Sequence, residues 1–365
     1  MKAVKWGEFK LGDLFEVKSS KKIYHANQLD IKEEQFTGYC PYIARTTKNN
    51  GIRGYIKKDK NTLNDSKTLS FAQDTFTVYY QNQRYYTGNK VKVLKPKFDN
   101  VNDRTMRYIA ACFQTTLKHF SWGTGSTTNS IQELSVRLPI KNDGSINFNF
   151  MESFIAELEA ERVAELSAYL KVSGLDNYEL SDDEESAIKN FQTLKWDTYN
   201  LETLFGKSTR GKRLKGDDRI VGTLPFVTAG EAAEGISAYI SNDVAIFESN
   251  TTTIDMFGSA KYRNYRYGAD DHVAVVHTES IPMKAAIFVT SACHKSAHTG
   301  KFDYGHNFYA KDADALNIQL PIKDGKPDYE TMETLISAIQ KSVIKDVVLY
   351  ADKKIEATKY IVDKQ

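Results

Sequence analysis

The sequence predicts an α+β fold made of two similar domains, each a small mixed β domain followed by a long helix. Three observations lead to this prediction: an internal repeat along the whole chain, short segments of strand composition inside each copy, and a long amphipathic segment at the end of each copy. A length of 365 residues also favours two domains over one.

The internal repeat keeps the same residue types in the same order. Trp, an aromatic residue, two leucines and Phe hold their places at the start of both copies, and a Leu-Pro-Ile-Lys segment closes both. The spacing shrinks only slowly along the chain, so the pattern indicates one fold with small loop deletions. The matching segments are Trp6–Phe15 with Trp196–Phe205, Pro41–Ile56 with Pro225–Ile240, Phe120 and Gly123 with Phe302 and Gly305, and Leu138–Lys141 with Leu320–Lys323.

Strand composition comes first within each copy, and a helical period follows Leu-Pro-Ile. The second helix, from about Thr331 to Tyr360, would be ~45 Å long and needs a partner to cover its apolar stripe. Glutamates in the first helix and lysines near the end of the last favour mutual packing. The predicted strands are Val78–Tyr80, Val91–Leu94, Val244–Phe247 and Val273–Val276, and the two stripes are Met151, Phe154, Ile155, Leu158, Leu166, Leu170 and Met332, Ile336, Ile339, Val343, Val347, Tyr350.

A linker beginning at Ser173-Gly174 separates the copies. Ser181 and Glu184 have the spacing of a capping box, which predicts a short helix to about Leu194. We interpret the acidic run from Asp182 to Glu185 as a solvated helix start, favoured by the helix dipole. The predicted regions are 1–146 (first domain), 147–195 (spacer helix and linker), 196–327 (second domain) and 328–365 (last helix).

The order and duplication of these segments, with Leu170–Leu175 and the opening at Trp196, resemble the specificity subunit of type I restriction-modification systems. The related type IIB specificity subunit is equally similar. The resemblance implies two target-recognition domains held apart by two long antiparallel helices, in a non-catalytic subunit that serves host defence. Each domain would recognise one half of a bipartite duplex DNA site.

The resemblance also implies partners. These are double-stranded DNA, DNA methyltransferase (modification) subunits docked on the helices, and a restriction subunit or a fused restriction-modification protein, with a possible homodimer in isolation. Helix length would set the gap between half-sites. The choice between type I and type IIB assembly, the stoichiometry and the DNA sequence stay open.

Polar loops rich in Arg, Lys, Asn, Gln and Tyr are the predicted DNA contacts, because such side chains reach phosphates and base edges. In the second copy we expect two loops to take the places of the first copy's loops, and one basic segment to match Lys18–Lys22. The first copy supplies Lys21, Lys22, Arg45, Thr46, Thr47, Lys48, Asn49, Asn50, Gln81, Asn82, Gln83, Arg84 and Tyr85. The second supplies Lys207, Arg210, Lys212, Arg213, Ser249, Asn250, Thr251, Lys261, Tyr262, Arg263, Asn264 and Arg266.

Other functions find little support in the sequence. An adenine-N6 methyltransferase needs adjacent prolines, and no two of the 7 prolines are adjacent. A nuclease site at Pro327-Asp328 with Asp352–Lys354 fails because the second group falls in a helix. Zinc at Cys293, His294 and His298 lacks a fourth ligand. We therefore expect no catalytic residue, metal or cofactor.

Composition leaves one alternative open. The net charge of +2 does not by itself indicate nucleic acid, and aromatic-rich β modules also bind carbohydrate or protein. A tandem binding module without a DNA role is therefore the alternative, which weak salt dependence of binding would reveal. No long apolar run or signal sequence is present, so we expect a cytoplasmic protein without a membrane partner.

Overall fold

The structure is a computed structural model that describes residues 4–117 and 127–362, with side chains as far as residue 357. Contacts divide the chain into two compact units. Unit 1 comprises Met1–Glu165 with Ala357–Gln365, and unit 2 comprises Leu166–Glu356. The repeat anchors Phe120 and Gly123 lie outside the described residues.

Unit 1 arranges its strands in three small sheets. Its elements, in chain order, are β1 (Lys5–Lys10), α1 (Leu11–Leu14), β2 (Phe15–Ser19), β3 (Cys40–Ile43), β4 (Ile52–Ile56), β5 (Thr68–Ala72), β6 (Thr77–Gln81), β7 (Tyr86–Thr87), β8 (Val91–Pro96), α2 (Asp103–Leu117), α3 (Thr128–Gln132), β9 (Ser135–Ile140) and α4 (Phe148–Val172). The sheet orders are β1-β9, β2-β8-β5-β6 and β4-β3-β7. The pair β3–β7 is parallel, and the other pairs are antiparallel.

Unit 2 repeats this arrangement. Its elements are α5 (Asp182–Asn190), β10 (Trp196–Asn200), α6 (Leu201–Phe205), β11 (Thr209–Arg210), β12 (Val221–Val227), β13 (Ile236–Ile240), β14 (Ile246–Phe247), β15 (Thr251–Asp255), β16 (Ala260–Arg263), β17 (Tyr267–Ala269), β18 (Val273–Val276), α7 (Met283–Ala297), α8 (Ala310–Asp314), β19 (Asn317–Lys323), β20 (Lys326–Pro327) and α9 (Tyr329–Val362). The sheet orders are β10-β19-β20, β11-β18-β15-β16 and β13-β12-β17-β14. These are the orders of unit 1 with β14 and β20 added.

Strand register confirms the repeat at single residues. Trp6 lies opposite Pro139 in the β1–β9 pair, and Trp196 lies opposite Pro321 in the β10–β19 pair. The parallel pair β3–β7 also recurs, as β12–β17. The predicted α+β fold of two similar domains is therefore confirmed.

The predicted strands are mostly confirmed. Val78–Tyr80 lies within β6, Val91–Leu94 lies within β8, and Val273–Val276 is β18. The prediction for Val244–Phe247 was too long, since only Ile246 and Phe247 pair, with β17. Strand composition alone does not reveal that a partner strand covers just two residues.

Each unit packs its helices against one face of the four-stranded sheet. In unit 1 the core includes Leu69 and Leu94 from the sheet and Phe113 from α2. In unit 2 Ile254 and Val289 belong to the matching core. The long helices join these cores at their first turns, where Met151 and Met332 are fully buried. Burying each such side chain contributes roughly 1.5–3 kcal/mol.

Helix ends follow the sequence signals. Gly174 has a φ of +63°, and Leu175 N–H donates to Leu170 O at 2.8 Å, so a Schellman motif ends α4. The capping box of Ser181 and Glu184 is present at the start of α5. This helix ends at Asn190, and a 3₁₀ turn follows it at Phe191–Thr193. No helix in the described part of the chain is long and apolar enough to cross a membrane.

Candidate functional site

A buried tyrosine anchors the loop that follows the β-hairpin in each unit. Tyr85 and Thr68 share a hydroxyl hydrogen bond of 3.0 Å, and Tyr267 and Thr251 share one of 2.9 Å. Both tyrosine side chains are fully buried, and burial raises the pKa of both phenol groups. The neutral hydroxyls therefore tie the loop to the first residue of β5 or β15.

The last residue of the hairpin is also buried in both units. Gln81 Nε2 donates to Ser70 Oγ at 3.0 Å, and Arg263 Nε donates to Thr253 Oγ1 at 2.9 Å. Ser70 and Thr253 take the same place in β5 and β15, opposite β6 and β16. Because the last residue of the hairpin is buried, its polar side chain forms hydrogen bonds with hydroxyl groups of the neighbouring strand in place of water.

Four predicted DNA contacts are therefore structural in this conformation, and we leave them out of the proposed contact surface. Each of their side chains is buried and hydrogen-bonded to a hydroxyl group of a neighbouring segment. They are Gln81, Tyr85, Thr251 and Arg263.

One predicted correspondence between the copies was wrong. Thr251 pairs with Arg263 as Thr68 pairs with Gln81, so Ser249–Thr251 is the equivalent of residues 66–68. The loop that corresponds to Arg45–Asn50 is the one before β13, residues 229–234. The shared positive φ angles support this: Asn49 and Asn50 have +46° and +53°, and residues 233 and 234 have +47° and +55°.

Charge differs between these two loops. Unit 1 places Arg45 and Lys48 there, whereas unit 2 has Glu231 and Glu234 and no cation. The Asn50 amide donates to Tyr80 O at 2.9 Å and so holds the turn. A cationic DNA contact at this place can therefore exist in unit 1 alone.

Arg45 and Lys261 have anionic neighbours. Arg45 forms an ion pair with Asp74, which also accepts from Lys90 Nζ at 3.0 Å. Lys261 Nζ lies 3.2 Å from Glu231. These carboxylates reduce the charge that either cation offers to phosphate.

A cavity of about 690 Å³ lies beside Arg45 in unit 1. Arg53 and His25 also line this cavity, and the sequence analysis did not select them. Thr46 is half-buried, and Thr47, Lys48 and Asn49 are exposed. Arg53 directly follows Gly51-Ile52, which both copies of the repeat share, and this position was the sequence signal that could have identified Arg53.

In unit 2 the side chain of Asn250 is hydrogen-bonded within the unit. Its amide donates to Ile281 O at 2.8 Å and accepts from the Tyr262 hydroxyl at 2.9 Å. Ser249 beside it is exposed. Of this predicted segment, Ser249 is the residue that offers a free surface.

Two distant segments come together around Asp65 in unit 1. Lys21 Nζ lies 3.2 Å from an Asp65 carboxylate oxygen, and Lys21 N–H donates to Asn64 Oδ1 at 3.0 Å. Asn64 pairs by its backbone with Tyr85, at the end of the loop after β6. The hydrogen bond from Lys21, with the charges of Lys95 and Arg84, lowers the pKa of Asp65. The carboxylate therefore stays ionised among cations.

The loop after the hairpin carries an exposed arginine at the same position in both units. Arg84 directly precedes Tyr85, and Arg266 directly precedes Tyr267. Arg266 Nε lies 3.2 Å from Glu248, as Arg84 lies near Asp65. We call residues 82–84 and 264–266 the arginine loops. Their exposed residues from the predicted set are Asn82, Gln83, Arg84, Asn264 and Arg266.

The basic segments at β2 and β11 are equivalent, as predicted from the repeat. Lys18 lies opposite Val93 in the first, and Thr209 lies opposite Val275 in the second. Counting on from these pairs puts Lys212 at the place of Lys21. The exposed cations of these segments are Lys21, Lys22, Lys207, Arg210, Lys212 and Arg213.

The residues considered for zinc have other roles. Cys293 is fully buried, and burial raises the pKa of its thiol to about 12. His294 Nδ1 accepts from Ala260 N–H at 3.2 Å and so caps the start of β16. Among the described residues, metal-ligating groups gather elsewhere, at Asp270, Asp271 and His272.

Comparison with known proteins agrees with this architecture. Residues 3–168 and 194–349 match the family model for the type I restriction modification DNA specificity domain. The chain is 26% identical over 348 residues to the "Type II restriction enzyme BgcI specificity subunit S.BcgI" of Heyndrickxia coagulans, covering 93% of this chain and 96% of that protein. The S subunit of a type I restriction-modification system from M. genitalium has a similar fold, with a TM-score of 0.59 at 14% identity, covering 100% of this chain and 96% of that chain.

The repeated strand orders and the family model together define a protein built from two copies of a DNA specificity domain. The chain belongs to the type I restriction modification DNA specificity domain family, because both of its halves match the family model. It is a specificity subunit of a restriction-modification system and recognises DNA, as the resemblance in its sequence predicted.

Proposed function

We propose that each unit reads one half of a bipartite duplex site through its arginine loop. Arg84 and Arg266 would contact base edges, and the exposed cations of the basic segments at β2 and β11 would contact phosphates. The observation that carries this proposal is the exposed arginine next to a buried, hydrogen-bonded tyrosine in both units. In this proposal the recognition domains are 1–146 and 196–327, and the spacer helices lie in 147–195 and 328–365.

Both ends of each arginine loop are held by buried residues, which supports a role of these loops in contacting bases. The loop after β6 starts at the buried Gln81 and ends at the buried Tyr85, and its counterpart starts at Arg263 and ends at Tyr267. Between these anchors the two loops differ, Asn-Gln-Arg in unit 1 against Asn-Tyr-Arg in unit 2. Gln83 is exposed and Tyr265 is half-buried, so a shared frame presents different polar groups in the two units, which suits two different half-sites.

Exchanging one arginine at a time tests the proposal. Methylome sequencing of a host that carries the system would first define the bipartite site. We expect Arg84→Ala to weaken binding about 10-fold and to relax the sequence requirement of one half-site, because a bidentate arginine–guanine contact discriminates by ~1–3 kcal/mol. Arg266→Ala should do the same to the other half-site. Binding is measured with duplexes in which one half-site is scrambled.

Arg137→Ala is the matched control, since Arg137 is an exposed arginine in β9, away from the arginine loops. It should bind like the unchanged chain. Equal weakening by Arg84→Ala on every duplex would assign this arginine to phosphates and contradict its role as a base reader.

We further propose that α9 docks a DNA methyltransferase subunit, alone or as part of a fused restriction-modification protein. Much of its predicted apolar stripe stays exposed in the whole chain: Ile339 is 50%, Val343 74% and Tyr350 52% exposed. A stripe of this kind on a helix requires a covering partner. The antiparallel packing of the two long helices, the fixed gap between half-sites and a cytoplasmic location belong to the same proposal.

A further inference from the structure

The loop between α7 and α8 presents an aromatic ring to solvent. Tyr304 is 85% exposed. Among the described aromatic residues, its ring pairs with Phe257 alone, in a T-shaped contact with centroids 5.3 Å apart. Lys301, His298 and His306 beside it are exposed as well. This ring therefore does not contribute to either hydrophobic core.

The loop is held in place by its own backbone and by the tip of the β15–β16 hairpin. The Asp303 carboxylate accepts from the N–H groups of Gly305 and His306 at 2.8 and 2.9 Å. Phe308 N–H donates to Met256 O at 2.9 Å, which joins the loop to the hairpin tip. A ring presented in this way loses little conformational freedom when it binds a ligand.

The same pattern occurs in the first copy of the repeat. Lys301-Phe302-Asp303-Tyr304-Gly305 corresponds to His119-Phe120-Ser121-Trp122-Gly123. Residues 118–126 lie outside the described residues, so this correspondence rests on sequence. The first aromatic is explained by folding, since Phe302 packs on Phe308 at 5.0 Å. The second is not, because Tyr304 is exposed.

We infer that residues 301–305, the aromatic loop, form a second DNA contact in which the Tyr304 ring packs on a deoxyribose and Lys301 pairs with a phosphate. This rests on DNA recognition by the chain and goes beyond the arginine loops. The carboxylate of Asp303 is turned to the backbone N–H groups of its own loop, which leaves Lys301 without an ion pair to it in the described part of the chain. An exposed ring can pack on a deoxyribose while a neighbouring lysine pairs with a phosphate, and neither contact depends on the base.

The shared pattern indicates what this contact does. The arginine loops differ in their middle residue, Gln83 against Tyr265. The aromatic loop keeps its two aromatic positions and its glycine in both copies, with His119 at the place of Lys301. Sugar and phosphate are the same at every base pair, so a contact to them holds the duplex whatever its sequence.

Both contacts of unit 2 can reach one duplex. The hairpin tip at Phe257 touches the aromatic loop, and the other end of β16 leads to Arg266. At about 3.3 Å per residue, the four residues of β16 span roughly 13 Å between the two loops. This is about the length of four base pairs at 3.4 Å each.

Tyr304→Ala and Tyr304→Phe test the stacking contact in the full chain. Binding to a cognate and to a random-sequence duplex would be measured by fluorescence anisotropy over a range of salt concentrations. We expect Tyr304→Ala to weaken binding to both duplexes about 10-fold without changing the salt slope, and Tyr304→Phe to bind normally. Lys301→Ala should reduce the salt slope by about one.

Tyr239→Ala is the matched control, because Tyr239 is 55% exposed in β13 of the same unit. Normal DNA binding by Tyr304→Ala would overturn the inference, and a simultaneous loss of the methyltransferase would make the loop a protein contact. Weakening confined to the cognate duplex would contradict its independence of sequence. In each case, half-site effects of Arg84→Ala and Arg266→Ala would leave the proposed function standing.

Discussion

At the scale of single residues, equivalent positions keep their geometry and change their chemistry. Gln81 and Arg263 both end the hairpin and both bond a hydroxyl of the neighbouring strand. Arg263 is 1% exposed, and in the described part of the chain no ion pair joins it to a carboxylate. A buried cation is costly, but the Tyr265 hydroxyl at 2.9 Å and the Tyr267 ring at 6.0 Å partly replace its hydration.

The tyrosine anchors give a prediction at this scale. Tyr267→Phe removes the hydroxyl bonded to Thr251 and keeps the ring. We expect it to lower the free energy of unfolding by about 1 kcal/mol, since a buried hydrogen bond contributes roughly that amount. Urea unfolding of the full chain measures the change. Tyr85→Phe should behave alike in unit 1.

Tyr239→Phe is the control for these two substitutions, because its side chain is 55% exposed. It should leave the unfolding curve in place. A loss for Tyr239→Phe as large as that for Tyr267→Phe would show that the effect is not specific to the buried hydroxyl.

At the scale of elements, the linker between the copies is packed against α9. Lys341 Nζ lies 2.8 Å from Glu184 and donates to Glu179 O at 2.8 Å, and Lys345 lies over the Tyr178 ring. The acidic run of α5 was interpreted from sequence as a solvated helix start. This holds for Asp182, Asp183 and Glu185, which are exposed, but it was wrong for Glu184, whose side chain is 9% exposed. The residue that α5 would bury was not evident from helix-dipole reasoning alone.

Glu184 makes this packing depend on pH. Burial alone would raise the pKa of its carboxyl, but hydrogen bonds from Lys341, the Ser181 N–H and the Ser337 hydroxyl together lower it from 4.5 to about 2. A lowered pKa means that the ionised carboxylate stabilises the fold above pH 4.5, and that this is lost as the pH falls towards 2.

We therefore expect Glu184→Gln to lower the free energy of unfolding by about 2 kcal/mol near neutral pH. The difference from the unchanged chain should shrink as the pH is lowered from about 5 to about 3. Urea unfolding at several pH values measures it. Glu185→Gln, an exposed neighbour in the same turn, should change little at any pH, and a constant difference for Glu184→Gln would contradict the assignment.

At the scale of the whole molecule, each of the two matching sets of strands is followed by a long helix, and the two helices differ in length. The 25 residues of α4 end at Val172, two residues before Gly174, whereas α9 has 34 residues. The middle of α9 exposes its apolar stripe, and the docking proposal rests on that exposure. A net charge of +2 over 365 residues gives little overall attraction to DNA, so DNA binding depends on cations at particular places on the surface.

A charge placed on the stripe tests the docking surface. Val343 is 74% exposed on α9, and Val343→Glu should reduce co-purification of the methyltransferase at least 10-fold, because a carboxylate is costly to bury in an apolar interface. DNA binding by the chain alone should not change. Affinity purification of the coexpressed complex measures the loss.

Ser342→Glu adds the same charge one residue earlier, on a neighbouring face of α9, and should retain the partner. Full retention by Val343→Glu would contradict the docking proposal. A change of Val343→Glu from dimer to monomer, with the methyltransferase retained, would instead show that a second copy of the chain covers the stripe.

The sequence by itself determined the repeat, the α+β class, the start of the linker at Ser173-Gly174, the capping box of α5 and the family. These follow from local signals: residue period, glycine, and the order of anchors along the chain. Only the tertiary structure decided which polar residues are free to bind, burying Gln81, Tyr85, Thr251 and Arg263 and leaving Arg84, Arg266 and Tyr304 exposed. The physical reason is that burial depends on distant strands and on paired hydroxyl groups, and neither is encoded in the local sequence around a polar loop.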